Sequence, residues 1–304
     1  MPASKPKPSE IAAEAKKIYI PYVRQNFGAQ WPATSFLCYS ETLVAQPPAM
    51  KLPIRFAFYD RDPVDVALDW APGENVPIPV IMPANDKRPG GDWEAGVMSP
   101  EECLCRRSNL YGTLTTPAEG NYASSNYPIP PKAGIFSEKV VVFRSGPEKY
   151  EVWPEMKVLP IISVCPVKRP KLDSSGKKYS FKQEKELMRD KIRTALRIAV
   201  YYGYPNLCIG SFGLGPGFRN PPEEVATMWK DAFLKDSEFV GHFHDVVFAF
   251  EPECATSSSG SSKSSASKSA SKSSSSKSAS SSSRDIDIFR DVFNPSKIHG
   301  AFKS

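Results

Sequence analysis

The chain has 304 residues, 40% of them hydrophobic, with a formal net charge of +6 and a pI near 8.9. That is enough chain and apolar content for one large domain or two small ones. The positive balance suits an anionic ligand but is too small to argue by itself for nucleic acid, and direct DNA or RNA binding is not expected.

Thirty prolines, about twice ordinary usage, are expected mostly between elements, in ordered loops. Six cysteines are scattered without a disulfide framework, several inside apolar runs such as "LPIISVCPV". They read as reduced, buried thiols of an intracellular protein, cytoplasmic and/or nuclear. The opening "MPASKPKPSE" lacks a secretory apolar region. No apolar run approaches the roughly 20 residues of a membrane span.

Residues 1–8 read as a disordered polar tail, and "SEIAAEAKKIYIPYVRQNF" as a helix with Ser9 as its cap. Residues 9–52 then form an N-terminal helical and irregular extension. "IRFAFYD" (54–60) is predicted as a strand and "PVDVALDWA" as a short helix. "VPIPVIMPA" (76–84) is a continuous apolar run, as in a strand buried on both faces. A first glycine loop follows, "NDKRPGGDWEAG" (85–96), then a helix opening on Pro100-Glu101-Glu102. The excursion from 112 to 138 has no clear period, which in a compact domain marks a functional or disordered loop.

"KVVVFR" (139–144) and "VLPIISVCPV" (158–167) are predicted strands. Residues 180–204 are the strongest helical segment, with Leu187, Ile192, Leu196 and Val200 on one stripe. "NLCIGSF" is a strand, "GLGPGFRN" a second glycine loop, "PPEEVATMWKDAFLK" a helix and "FVGHFHDVVFAFEP" a last strand. Strands alternating with helices imply an α/β fold with a mostly parallel mixed sheet. Residues 256–283, rich in Ser and Lys, cannot bury a core and read as a flexible insert. "RDIDIFRDVFNPSK" regains an amphipathic pattern, so 284–304 is expected to dock back on a domain running over 9–255.

Each glycine loop precedes a Pro-Glu-Glu helix start. Local chemistry reads both pairs as caps: Ser99 or Asn220 as N-cap, Pro100 or Pro221 at N1, Glu102 or Glu223 at N3. The loops shift that reading, because both follow a buried strand at its carboxyl end, where open α/β sheets hold ligands. "GLGPGF" (213–218) is a diphosphate-loop candidate. It has neither a Walker Lys-Ser/Thr nor dinucleotide-fold spacing. The first loop offers Asn85, Asp86, Asp92 and the Trp93 ring to a sugar, and an acid at Glu101 or Glu102 beside it can protonate a glycosidic oxygen. Glu223 and Glu224 are assigned to capping alone.

At these residues the chain resembles the microbial poly(ADP-ribose) glycohydrolases of the macrodomain superfamily. The resemblance rests on "ANDKRPGGDWEAGVMSPEECLCRRSNLY" (84–111), "GIFSEKVVVFR" (134–144) and "GSFGLGPGFRNPP" (210–222), in family order over about residues 75–250. It implies a three-layer α/β/α macrodomain that binds ADP-ribose and hydrolyses ribose–ribose bonds of the polymer, or bonds of terminal ADP-ribose to protein, without a metal or cofactor. It further implies Glu102 as the catalytic acid and base, with Glu101 holding hydroxyls of the ribose being cleaved and Asn85 contacting that ribose. Gly90 and Gly91, with Asp92, would pass along the ribose and diphosphate. The run Gly213, Leu214, Gly215, Pro216, Gly217 would wrap the diphosphate, with Phe218 on the sugar.

Three positions depart from the family pattern: Asp92 replaces the third glycine, Pro100 replaces a glutamine, and the second loop is one residue longer. Two other readings follow from the same fold. One is a non-catalytic ADP-ribose reader, motivated by Asp92. The other is an enzyme of ADP-ribose 1″-phosphate. Cys103 and Cys105 read as core thiols, His242 and His244 as surface residues on one face of the last strand, and Arg106 and Arg107 as partners of the glutamates. "VKRPK" (167–171) reads as a short import signal or a solvated loop.

Overall fold

The computed structural model describes residues 6–44, 47–48, 53–74, 76–121, 123–251 and 284–299. The segment 256–283, expected to be a flexible insert, lies outside the described residues, as do residues 1–5 of the expected tail. In chain order the elements begin with α1 (Pro8–Glu14), a π-helical turn (Ala15–Tyr19), α2 (Ile20–Phe27), β1 (Phe36–Tyr39), β2 (Arg55–Tyr59), α3 (Pro63–Trp70) and β3 (Val80–Pro83). Next come α4 (Pro100–Arg107), α5 (Leu110–Leu114), β4 (Ala133–Arg144), β5 (Val152–Val164), α6 (Lys182–Tyr201) and β6 (Asn206–Ile209). The last are α7 (Gly215–Phe218), α8 (Pro222–Leu234), β7 (Asp245–Ala249), α9 (Asp285–Val292) and α10 (Pro295–His299).

The strands form one seven-stranded sheet in the order β1-β4-β5-β3-β6-β7-β2. From β5 to β2 all neighbours are parallel, while β1–β4 and β4–β5 are antiparallel. Side chains alternate across the pleat. Ile81, Ile162, Val246 and Phe248 point into one apolar layer under α6, α8 and α9. Val80, Met82, Ile161, Val247 and Ala249 point into the other, under α1 to α5. This is the expected three-layer α/β/α arrangement, and β3 and β6 are buried on both faces because a helical layer covers each side of the sheet.

Several local expectations need correction. The first helix is capped by Lys7, not Ser9; the Lys7 amide donates to Glu10 at 2.9 Å. Its middle is π-helical because Pro21 has no N–H to return to the preceding turn. On α6 the buried stripe is Met188, Ile192, Ala195, Leu196 and Ala199, and Leu187 is exposed. Strand β7 starts only at Asp245, so His242 and His244 sit in the turn before it rather than on a strand face.

Ile286, Phe289, Val292 and Phe293 of the C-terminal segment are buried against the first layer. Phe289 lies 5.1 Å from Phe248 and 4.9 Å from Phe250, ring centre to ring centre. Arg284 and Arg290 both reach Asp60, at 3.1 and 3.2 Å. Removing the Phe289 ring leaves a cavity in this cluster, so Phe289→Ala is expected to lower unfolding free energy by about 3–5 kcal/mol in urea titrations. A loss under about 1 kcal/mol would show that α9 contributes little to the core.

Candidate active site

The site starts where β3 ends. Ala84 extends the ladder by donating to Val164 O at 3.0 Å, and the chain then leaves the sheet. Asn85 folds the exit: its Oδ1 accepts from the amides of Lys87 (2.9 Å) and Arg88 (3.1 Å), a side-chain turn of the kind Asn favours. The Asn85 amide itself donates to Glu101 Oε2 at 2.6 Å.

Gly90 and Gly91 are both left-handed, with φ of +68° and +55°. A Cβ on Gly90 would sit 2.8 Å from Cys105 Sγ; one on Gly91 would overlap Glu102 Oε1 and lie 3.1 Å from its Cδ. The loop backbone therefore rests directly on α4 and its carboxylate. The Asp92 amide donates to Glu102 Oε1 at 3.3 Å. The Asp92 side chain is half-exposed and paired with Arg88 at 2.7 Å, so its charge is already met by a cation.

Neither acidic pair forms the expected capping box. Ser99 is the N-cap of α4 but its side chain makes no cap hydrogen bond, and both glutamates serve the loop amides instead. At α8 the N-cap is Pro221, not Asn220. The Asn220 amide group donates to Val167 O (2.7 Å) and Gly213 O (2.8 Å), and its Oδ1 accepts from Tyr179 Oη (2.8 Å). Glu224 accepts from the Tyr179 amide and pairs with Lys185. In each case a tertiary donor outcompetes the local one.

Glu101 and Glu102 are both buried, at 3% and 8% exposure. Burial is the main cause that pushes the Glu101 carboxyl well above the ordinary range; the Asn85 amide opposes this and the Glu102 charge adds to it. Glu101 Oε1 is shielded and has no hydrogen-bond partner among the described residues, and the same is true of the Tyr127 hydroxyl, which feels the Glu101 charge. Buried oxygens are almost always hydrogen-bonded, so this unpaired acceptor is notable in a loop-lined niche.

Arg106 and Arg107 do not pair with the glutamates. Arg106 donates to Trp93 O at 3.0 Å and to Val97 O; Arg107 pairs with Asp62 at 3.1 Å and with Asp65. Trp93 is 1% exposed and packs 5.0 Å from Tyr111, ring centre to ring centre, so it is core and not a platform for a sugar. Cys103 and Cys105 are buried free thiols, as expected. Behind α4 a cavity of about 20 Å³ lies between Asp62, Met82, Pro100 and Glu251. There burial and the adjoining Asp62 push Glu251 up to about 9.

In the second loop Gly213 is left-handed at +80°, and a Cβ on it would meet Met188 Cε at 2.6 Å. Leu214 is buried in the first apolar layer, so only its backbone can serve the loop. Gly215, Pro216 and Gly217 are exposed and, with half-buried Phe218, form the short turn α7. The two loops are joined by the segment after β5. Lys168 pairs with Asp86 at 2.5 Å, the Arg169 amide donates to Phe218 O at 2.6 Å, and Asn220 holds Val167 O. This is "VKRPK", whose basic string gave a signal that its position at the carboxyl end of a strand could have sharpened. Among the described residues no cluster of metal-ligating side chains occurs, and no helix is long and apolar enough to cross a membrane.

A seven-stranded mixed sheet between two helical layers, with paired carboxylates at its carboxyl edge, defines a three-layer α/β protein. Residues 14–145 match the family model described as microbial-type PARG, catalytic domain. That span holds the first loop and α4; the second loop lies beyond it. No curated protein sequence matches. Among solved structures, poly(ADP-ribose) glycohydrolase from Thermomonospora curvata is similar at 20% identity and a TM-score of 0.64, over 80% of this chain and 92% of that one. The same enzyme bound to the inhibitor ADP-HPD gives 20%, 0.63 and the same coverage. The enzyme from Deinococcus radiodurans in complex with ADP-ribose gives 21% and 0.59, over 78% and 91%. The resemblance to microbial poly(ADP-ribose) glycohydrolases is borne out, and so is the fold it implied.

Gly91→Ala would place a side chain in a left-handed residue and against Glu102. It is expected to lower stability by about 1–2 kcal/mol in urea titrations, and full retention of stability would show that the loop has another resting place. Folded Glu101 holds its proton more tightly than the unfolded chain does. Stability that is complete below the ordinary carboxyl value of 4.5 is therefore lost as pH rises above it, toward the raised folded value. Glu101→Gln should lose less of its urea midpoint than wild type between about pH 5 and pH 8. Equal losses in the two proteins would place the pH response elsewhere.

Proposed function

We propose that this chain is a glycosidase-type hydrolase that cleaves O-glycosidic bonds of ADP-ribose, in poly(ADP-ribose) or between terminal ADP-ribose and protein. The observation that carries the reading is the α4 carboxyl pair under the first glycine loop, within the span that matches a glycohydrolase catalytic domain. The complexes of the solved relatives with ADP-ribose and ADP-HPD support the ligand class.

Glu102 donates its proton to the leaving oxygen as the C1–O bond breaks and positive charge develops at the ribose. It then takes a proton from the water whose oxygen bonds to C1, which regenerates the acid. Glu101 holds a hydroxyl of the ribose being cleaved, as the resemblance to the glycohydrolases implies. Asn85 folds the loop over that ribose. Gly90, Gly91 and the Asp92 amide bring backbone within reach of the ribose and diphosphate, and Gly213 to Phe218 closes the other side. Hydrolysis by a single positioned acid needs no cofactor.

Release of free ADP-ribose from polymer or modified protein tests the reading. Glu102→Gln should cut the rate by about a hundredfold or more while ADP-ribose still binds. An unchanged rate would remove Glu102 from the chemistry. Binding without turnover on any linkage would select the reader, and turnover of ADP-ribose 1″-phosphate alone would select the third reading.

A further inference from the structure

The segment joining the two loops brings an arginine to the second loop, and that loop ends in another arginine. Arg169 follows Lys168 and is tied through its amide to Phe218 O at 2.6 Å. Arg219 closes the second loop, its amide on Gly215 O and its Nε on Pro216 O at 3.2 Å. Both are exposed, and neither guanidinium has a carboxylate partner among the described residues.

Their backbones are equally unusual. Among the described residues only three non-glycine positions are left-handed, and Arg169 (φ +49°) and Arg219 (φ +58°) are two of them. Such a conformation costs about 1–2 kcal/mol for an L-residue and is the ordinary place for glycine. Strain of this kind persists where the surroundings hold it and is concentrated at functional sites. Two arginines are thus anchored by their backbones beside one loop, at positions whose backbone favours glycine.

We propose that Arg169 and Arg219 form a cationic rim that binds the diphosphate of a second ADP-ribose unit, next to the one in the cleft, and so select polymer over single ADP-ribose. The inference rests on the ADP-ribose reading above. Planar guanidinium forks suit phosphate oxygens, and two contacts to a flexible polyanion predict a salt slope of about 1.4 in log–log form. The polymer is favoured over nucleic acid because the rim is continuous with the glycine loops, whereas the overall charge of +6 is modest for nucleic acid.

The test compares the wild-type chain with the double variant Arg169→Gly, Arg219→Gly, which suits the backbone and should fold. Calorimetry with ADP-ribose and fluorescence anisotropy with a short labelled ADP-ribose oligomer are run at low and moderate salt. The double variant should bind ADP-ribose as wild type does, lose about tenfold in affinity for the oligomer and show a shallower salt slope. Arg169→Lys with Arg219→Lys, which keeps the charge, should recover most of that loss. Equal oligomer affinity in wild type and glycine variant would overturn the rim. A parallel loss on single-stranded oligoadenylate of matched charge would overturn it in favour of a nucleic-acid surface. A wild-type chain that binds neither ligand would remove the ADP-ribose reading itself, and the rim with it.

Discussion

The geometry of the site depends on three buried arginines that fix helix α4. Arg106, Arg107 and Arg144 are at most 1% exposed. Arg106 pins the carbonyls of Trp93 and Val97, and Arg107 ties the end of α4 to Asp62 and Asp65 at the start of α3. Arg144 on β4 returns to the carbonyls of Arg106 and Ile11 and pairs with Glu14 of α1. Buried guanidinium groups are tolerated only when their donors are well supplied. Most of these donors are supplied, Arg144 Nε being without a hydrogen-bond partner among the described residues and Arg107 Nη1 having only its ion pair with Asp62, and together they fix the rotation of α4 about its axis. That rotation decides whether residues 101 and 102 face the loop or solvent.

From this follows the chemistry of the carboxyl pair. A short helix with free glutamates at its first turn would ordinarily cap itself and remain solvated. Here the loop amides of Asn85 and Asp92 take the carboxylate oxygens, and apolar neighbours exclude water. One oxygen of Glu101 is left dry and unpaired. The N-terminal segment contributes to this enclosure, since Ala12 and Ala15 pack in the same layer as Leu104 and Cys105 of α4.

Much of the layer architecture was legible in the sequence, because buried parallel strands leave continuous apolar runs and the helices between them leave stripes. The runs at 76–84 and 206–212 located β3 and β6, and the glycine loops after them located the carboxyl edge. What could not be read was the competition between local and tertiary partners. Glu102 and Arg106 are spaced for an ion pair along a helix, and Ser99 and Glu102 for a capping box; distant carbonyls and amides won both contests. Trp93 looked like a ligand surface because sequence shows that a ring is present, not that it is covered. The role of Lys168 and Arg169 was hidden for the opposite reason: a basic string reads as solvated until the chain is seen to pass between two loops.

The close seating of Gly91 on Glu102 also bears on how such a chain can diverge. A methyl group at position 91 would overlap Glu102 Oε1, the free end of a side chain, so a larger residue there has to push that carboxylate away from the loop. The neighbouring position is free: Asp92 projects outward and meets Arg88, so it can vary in size and charge without reaching the helix. Adjacent positions in one glycine-rich stretch thus carry different steric constraints. A side chain can stand at position 92 with the Glu102 carboxylate in place, whereas one at position 91 displaces it.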